Sequence, residues 1–562
     1  MAAARLAGRA RAEDEDLLVP PPSPGRDEPI NSARDVNRFV FPSITNWFRQ
    51  LDKGKAVTVV VLVYVNLINY MDRSTVAGML ERIKQDKNFN ITQDKYLGLL
   101  QTAFVVCYML FAPVFGYLGD RHSRKWLLAI GISFWSLSTL IGSFMHNFWL
   151  FLMFRALVGV GEASYSVVAP AIISDLFAKD ERSSVLALFY FAIPVGTGLG
   201  YIVGSEVAGV TDDWRWGLRV TPIMGALAVF MIVFLMIDPE RGAADGSKLK
   251  PTSPISDLKS LVRNKSYVFA TVAFTCVCYV AGALMWWGPN FAFVGAKAAC
   301  GNKANCGTIT LANVSFKFGI VMTLSGLLGV PAGSYISQII RHQVPNADPI
   351  VCAVTLLVSV PILFFGFVSA NYSLSLCYGL TFFAGLLLNA NWSIVSDMTL
   401  YIVIPTRRGV ATATQILVSH MFGDAFSPYM IGALADSFKP LISPSSNLTM
   451  STDPTTTLVN IPFLPGSGQQ GMSYELTPEE YDLEFRALEY SLFTCCFFQA
   501  LGAFFFFVMS WYVMSDKSKA ERQIACNADI LGPENHATPD RYREDVDFRE
   551  GTQPIYRPPV DT

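Results

Sequence analysis

Gly116–Lys125 reads GYLGDRHSRK, two glycines and then a carboxylate among basic and hydroxyl side chains, set between two runs of almost pure hydrocarbon. The run that follows, WLLAIGISFWSLSTLIGSFM from Trp126, reaches the roughly 20 residues that cross about 30 Å of bilayer core. The charged decapeptide is therefore read as a turn between two membrane-spanning helices. The same pattern extends outward in both directions. Of 562 residues, 52% are hydrophobic and only 16% charged, against about a quarter charged in soluble chains.

Twelve spans are expected, at about 57–80, 97–119, 126–145, 148–176, 184–209, 217–237, 267–293, 316–340, 350–368, 373–404, 410–437 and 486–514. An even number puts both termini on one side. Alternate short loops, including Arg121, Arg124, Lys125, Lys179, Arg182, Arg341, Arg407 and Arg408, hold about fourteen basic residues against about eight on the other face, so those loops and both tails are expected in the cytosol. The other face holds the sequons at Asn90, Asn313 and Asn447, candidate glycosylation sites, although comparable triplets at Asn264 and Asn391 fall where no glycan could be added. Cys300 and Cys306 flank GNKAN on that face, and a small disulfide loop is expected there. Cys107, Cys276, Cys278, Cys352, Cys377, Cys495 and Cys496 lie in apolar runs and read as packing residues. The N-terminus lacks the apolar core of a cleavable signal peptide. A net charge of −2 gives no bulk preference for nucleic acid.

A polar stretch, RGAADGSKLKPTSPISDLKSLVRNK, has the composition of a flexible cytosolic linker and cuts the chain into six spans plus six. The organisation expected is a cytosolic tail over 1–55, a bundle over 56–237, the linker over 238–265, a second bundle over 266–514 with a long lumenal loop at 438–485, and a cytosolic tail over 515–562. The halves repeat. AIISDLF (171–177), then Gly200-Tyr201 and Gly204, is answered by SIVSDMT (393–399), then Pro428-Tyr429 and Gly432, in the same orientation. The fold class is thus an all-α membrane protein of two parallel six-helix bundles, the architecture of major facilitator transporters, with the substrate path between them. GYLGDRHSRK itself resembles the signature of that superfamily for the loop between spans two and three, with Gly116, Leu118, Asp120, Arg121, Arg124 and Lys125 in register. Gly116 and Asp120, with Arg121 and Arg124, are expected to act as a cytosolic gate that latches the two halves. The matching turn of the second half, Gly333 to Gln338, lacks the carboxylate, and the repeat is read as decayed there.

Ionisable groups deep in spans are costly and mark pathways or partners. Span one carries Asn66, Asn69, Asp72 and Arg73, and span four carries Arg155, Gly159, Glu162 and Ser166 on one stripe. An Asp72–Arg155 pair is geometrically open if the two spans face each other, with a purely structural ion pair as the alternative. Glu162, near mid-span, is the candidate for binding and releasing a proton; Arg155 is a candidate cation for a lipid phosphate. His420 and Asp424 lie four apart in span eleven, and histidine titrates near neutrality. No G-x-S-x-G, H-E-x-x-H or G-x-x-x-x-G-K-[ST] motif occurs, so neither an enzyme nor ATP-driven transport is expected.

RALVGVGEASYSVVAPAIISDLF (155–177), FYFAIPVGTGLGYIVGS (189–205), IPTRRGVA (404–411) and SHMFGDAFSPYMIG (419–432) are similar to the spinster branch of the major facilitator superfamily, in its animal, arthropod-type form, over about 50–520. That resemblance implies a secondary transporter of late endosomes and lysosomes that moves lysophospholipids or sphingoid lipids, proton-linked in some members, with some relatives acting at the plasma membrane. It makes Asp72, Arg155, Glu162 and His420 cavity groups. It implies no cofactor beyond the proton as coupling ion. Glu13, Leu17 and Leu18 resemble an acidic dileucine sorting signal within reach of a clathrin adaptor. Two rival readings stay open: a carrier of a small polar solute such as a sugar or organic anion, and a transport-inactive signalling or scaffold protein.

Overall fold

The computed structural model describes residues 53–119, 121–177, 179–238, 254–300, 309–341, 343–404, 407–442 and 477–530. Glu13, Leu17, Leu18, Asp120, Cys306 and Asn447 lie outside these residues. Apolar runs with their own backbone bonding satisfied internally are the way a chain crosses hydrocarbon, and the described residues form fifteen helices and no strand. In the first half these are α1 (Lys53–Ala77), α2 (Leu80–Lys84), α3 (Asp94–Gly119), α4 (Arg124–Gly142), α5 (Phe148–Leu176), α6 (Lys179–Thr211) and α7 (Trp214–Leu235). A short helix, α8 (Pro254–Arg263), leads to the second half: α9 (Lys265–Cys300), α10 (Leu311–Arg341), α11 (Ala347–Ser369), α12 (Leu374–Ile402), α13 (Arg408–Phe422), α14 (Phe426–Ile442) and α15 (Pro478–Ile530). Eleven of them are long and apolar enough to cross a membrane.

The remaining span is split, where a continuous helix over 410–437 was expected. Gly423 caps α13 with a non-helical backbone, and a Cβ there would lie 2.4 Å from the Ser419 carbonyl and 2.6 Å from Cys278. Next to the break, the carbonyl of Ala425 accepts from Thr102 Oγ1 of α3 at 2.6 Å. Three further boundaries move. The last part of the linker is helical, because Arg407 donates to Asp257 at 2.9 Å and to Ser260 at 2.7 Å and so pins α8 to the second half. α15 begins at Pro478, inside the expected loop, and runs through 515, where a tail was expected, to Ile530. α9 runs on to Cys300.

Packing follows the sequence repeat. α3 and α4 pack on α5 as α10 and α11 pack on α12, and α7 lies on α4 as α15 lies on α11. Between the halves the contacts exchange in the same sense, α3 with α14 and α10 with α6. Glycine permits both crossings: a Cβ on Gly98 would fall 2.1 Å from the Pro428 carbonyl, and one on Gly319 would fall 2.9 Å from that of Gly198.

Call the membrane face with the 119–124 turn the turn face, and the opposite one the far face. Hydrogen bonds and ion pairs join the halves between mid-helix and the far face. They include Thr323 Oγ1 to the Pro194 carbonyl at 2.9 Å and Tyr201 Oη to the Met285 carbonyl at 2.6 Å. The molecule is held in a state closed at its far end.

Candidate functional site

The charged groups of α1 and α5 meet in two ion pairs. Arg155 Nη1 lies 2.9 Å from Asp72 Oδ2, and Asp72 Oδ1 also accepts from Thr221 Oγ1 of α7 at 2.6 Å. Arg73 Nε lies 2.7 Å from Glu162 Oε2. Both carboxylates are closed off from solvent, and so is Arg155, whose side chain is 3% exposed; Arg73 is 12% exposed. Arg73 is therefore the cation of the set with a path outward. The Arg155 expected to meet a lipid phosphate stands behind Asp72 in this state.

α3 supplies an aromatic wall. The Arg73 guanidinium lies 5.1 Å from the Phe104 ring centre, 4.8 Å from Tyr108 and 4.9 Å from Tyr70 of its own helix, and Arg155 lies 4.8 Å from the same Phe104. A cation over a ring face is attracted by the ring quadrupole, the more so out of water. Gly159 makes this possible, because a Cβ there would sit 2.2 Å from the Phe104 carbonyl and push α3 off α5.

Three polar atoms of the cluster remain unpartnered: Glu162 Oε1, Arg155 Nε and Asn69 Nδ2. A buried acceptor without a partner is costly. Glu162 Oε1 is thus a ready seat for a proton or a ligand donor.

His420 and Asp424 pair as their spacing suggested, Nδ1 to Oδ2 at 2.9 Å, at the α13–α14 break and with the His420 ring 6.1 Å from Trp392. They belong to the other half. Among the described residues no hydrogen bond or ion pair joins them to the Arg73–Glu162 cluster.

The described gate residues bond inside the first half. A Cβ on Gly116 would lie 3.5 Å from Val167, Arg121 stacks on Tyr117 at 4.2 Å, and Arg124 pairs with Asp175 of α5. The second-half turn is not without a carboxylate: Asp348, from the first turn of α11, accepts from Ser337, from Arg341 Nε at 3.1 Å and from Tyr401 Oη at 2.8 Å. The acid has moved by a loop's length rather than vanished.

On the far face Asn90 is exposed in a left-handed turn with φ of 48°, and Asn313 is exposed in the first turn of α10. Cys300 is disulfide-bonded.

Spacing alone did not reveal the Arg73–Glu162 pairing, the aromatic wall or Thr221. Residues 66, 69 and 73 share a stripe, which could have flagged Arg73; nothing in α3 marked Phe104 or Tyr108.

Two bundles in parallel repeat around paired buried charges define a membrane transporter of the major facilitator type, and residues 62–439 match the Major Facilitator Superfamily. Protein spinster of Drosophila melanogaster is 48% identical over 482 residues, 83% of this chain and 78% of that protein, and protein spinster homolog 1 of Homo sapiens is 44% identical over 477 residues, 84% and 83%. A crystal structure of a bacterial homolog to the human lysosomal transporter Spinster, inward-facing and unoccupied, superposes with a TM-score of 0.68 at 18% identity, covering 83% of this chain and 99% of that one. The chain belongs to the spinster family of the Major Facilitator Superfamily.

Proposed function

We propose that the chain is a proton-linked secondary carrier that moves a lysophospholipid, a sphingoid base or a sphingoid base phosphate across the late endosomal and lysosomal membrane by alternating access. In this reading the turn face and both termini are cytosolic, the proton is the only coupling species, and an adaptor reads Glu13, Leu17 and Leu18. The lysosomal placement draws on the solved relative, described as a homolog of a lysosomal transporter.

One observation carries the reading: Arg73 is shared between Glu162 and the outside. Its guanidinium bonds a single Glu162 oxygen at 2.7 Å, while the other oxygen of that carboxylate has no partner. Protonation of Glu162 removes the charge that holds Arg73, and the freed cation, framed by Tyr70, Phe104 and Tyr108, can then take the phosphate of a lysophospholipid or of a sphingoid base phosphate. Return of Arg73 to Glu162 expels both proton and head group. Proton and lipid are thereby linked through one side chain.

The test is flux of radiolabelled lysophospholipid, sphingoid base and its phosphate into vesicles reconstituted with the full chain, under inward and outward pH gradients. Glu162→Gln should keep downhill exchange and lose the response to the gradient. An undiminished response would remove Glu162 from coupling.

A further inference from the structure

The far end of the seam is closed by charge. Lys84 of α2 and Asp94 of α3 come from the first half, and Lys439 of α14 and Glu484 of α15 from the second. Lys84 Nζ lies 2.8 Å from Asp94 Oδ1 and 2.7 Å from Glu484 Oε2; Lys439 Nζ lies 2.6 Å from Asp94 Oδ2 and 2.8 Å from Glu484 Oε1. Within this set each ion touches two of opposite sign, so the four close into a ring, and Lys439 has Asp436 as a further acid at 3.9 Å. The side chains are 13%, 1%, 18% and 17% exposed, in the order Lys84, Asp94, Lys439, Glu484, so bulk water does little to screen them. Asp436 of α14 adds a fifth tie, accepting from the backbone N–H of Asp94 at 2.7 Å and of Lys95 at 2.9 Å, where the first turn of α3 presents its unbonded donors.

We propose that this ring is the latch of the far gate, a device for closing and reopening the path rather than a permanent staple. The alternation of the ring carries the argument. Two of its four bonds cross the seam, Lys84–Glu484 and Asp94–Lys439; the other two, Lys84–Asp94 and Lys439–Glu484, stay within a half. Parting the halves therefore leaves each of the four with one partner of opposite sign, while Asp436 gives up its two backbone donors and keeps Lys439 at 3.9 Å. A buried ion that loses its only partner makes separation prohibitive; here each ion keeps one. Closure is correspondingly specific, because a register slip between α3 and α14 would bring Asp94 toward Asp436 and away from Lys439.

The inference rests on the chain being a two-state carrier, and its test reads conformation without substrate, so it can fail while the lipid and proton assignments stand, or the reverse. The full chain is placed in lipid nanodiscs and amide hydrogen exchange is followed in three segments: 94–98 and 432–442 at the gate, and 155–165 inside the first half. Lys84→Glu should speed exchange at the gate by about 10-fold or more with 155–165 unchanged. The pair exchange Lys84→Glu with Glu484→Lys should remain fast, because it sets a glutamate beside Asp94 and a lysine beside Lys439. Inverting all four, Lys84→Glu, Asp94→Lys, Lys439→Glu and Glu484→Lys, should restore slow exchange. Recovery in the pair exchange would mean an isolated bridge and overturn the ring. Failure of the fourfold inversion to restore protection, or an unaltered gate in Lys84→Glu, would overturn it too. Faster exchange through 155–165 as well would make the cluster a staple of the fold and sink the latch.

Discussion

Asp86, in the loop before α3, shows what one side chain does on the far face. It accepts from Trp214 Nε1 at 2.8 Å, from Arg215 Nη1 at 2.7 Å and from the backbone of Asn88 at 2.8 Å, and so ties the loop to the head of α7. Burial by itself would raise its pKa, but the bonds from Trp214, Asn88 and Arg215 outweigh it and hold the carboxyl below the ordinary aspartate range. A carboxylate whose pKa is depressed on folding contributes stability that is complete above its unfolded pKa, about 3.9, and is lost as pH falls through the folded value. Asp86→Asn should thus cost about 1 kcal/mol at neutral pH and at about pH 5, a cost that fades below about pH 4, as thermal unfolding across that range would register. Legibility at this scale is uneven for a physical reason. Asp72 and Arg155 could be matched by depth because each sits a similar distance along its helix, and the structure pairs them. Glu162 could not be matched, because its partner Arg73 stands next to Asp72 in the sequence and depth alone does not say which way each of the two neighbours points. Thr221 and Phe104, which touch Asp72 and Arg73, lie on helices whose sequence marks them as ordinary packing residues.

Elements show where a repeat in sequence is a repeat in physics and where it is not. Asp175 and Asp397 are mates in the two Ser-Asp copies, and by sequence each should brace its half at the turn face. In the first half Arg124 at the head of α4 does pair with Asp175. In the second the arginine sits at the tail of α10 instead, and Arg341 reaches Asp348 at 2.7 Å while Asp397 stands 3.9 Å away with a half-exposed side chain. The brace survives with a different acid. Asp348→Asn should therefore destabilise the second half by about 2 kcal/mol or more, since three donors lose a buried acceptor, whereas Asp397→Asn should stay within about 0.5 kcal/mol. Denaturation of the two variants side by side measures this, and equal losses would restore Asp397 as the mate of Asp175. The break in span eleven was hidden for a similar reason. Gly423 is one glycine in an apolar run, and what ends α13 there is the crowding of Cys278 and the Ser419 carbonyl around its missing Cβ, with Thr102 of the other half donating to the Ala425 carbonyl beside the break. Hydropathy counts length, and no count registers a tertiary donor.

At the scale of the whole molecule, the two-bundle fold was legible because twelve apolar runs and a Ser-Asp repeat leave few alternatives. Which end is closed was not, since closure is a relation between halves and either half alone is the same in both states. The seam shows where movement must be accommodated. Gly198, near the middle of α6, crosses Gly319 in the third turn of α10, and we expect this bare crossing to serve as the fulcrum when the ends part. A Cβ at Gly198 would meet Thr323 Oγ1 at 2.2 Å and the Gly319 carbonyl at 3.0 Å, both in the opposite half. At Gly196, two residues away, the obstruction is the Leu67 carbonyl at 2.4 Å, within the same half. The same substitution should then do two different things. Gly196→Val overpacks a bundle and should lower its stability by about 1–3 kcal/mol. Gly198→Val spares the interior of both bundles; it should leave the unfolding temperature nearly unchanged and cut vesicle flux by about 10-fold or more, because the halves can no longer rock over a bare backbone contact. If Gly198→Val lowered stability as much as Gly196→Val while transport per folded molecule held, the crossing would be ordinary packing and the fulcrum would have to lie elsewhere, at the contact of Gly98 with Pro428.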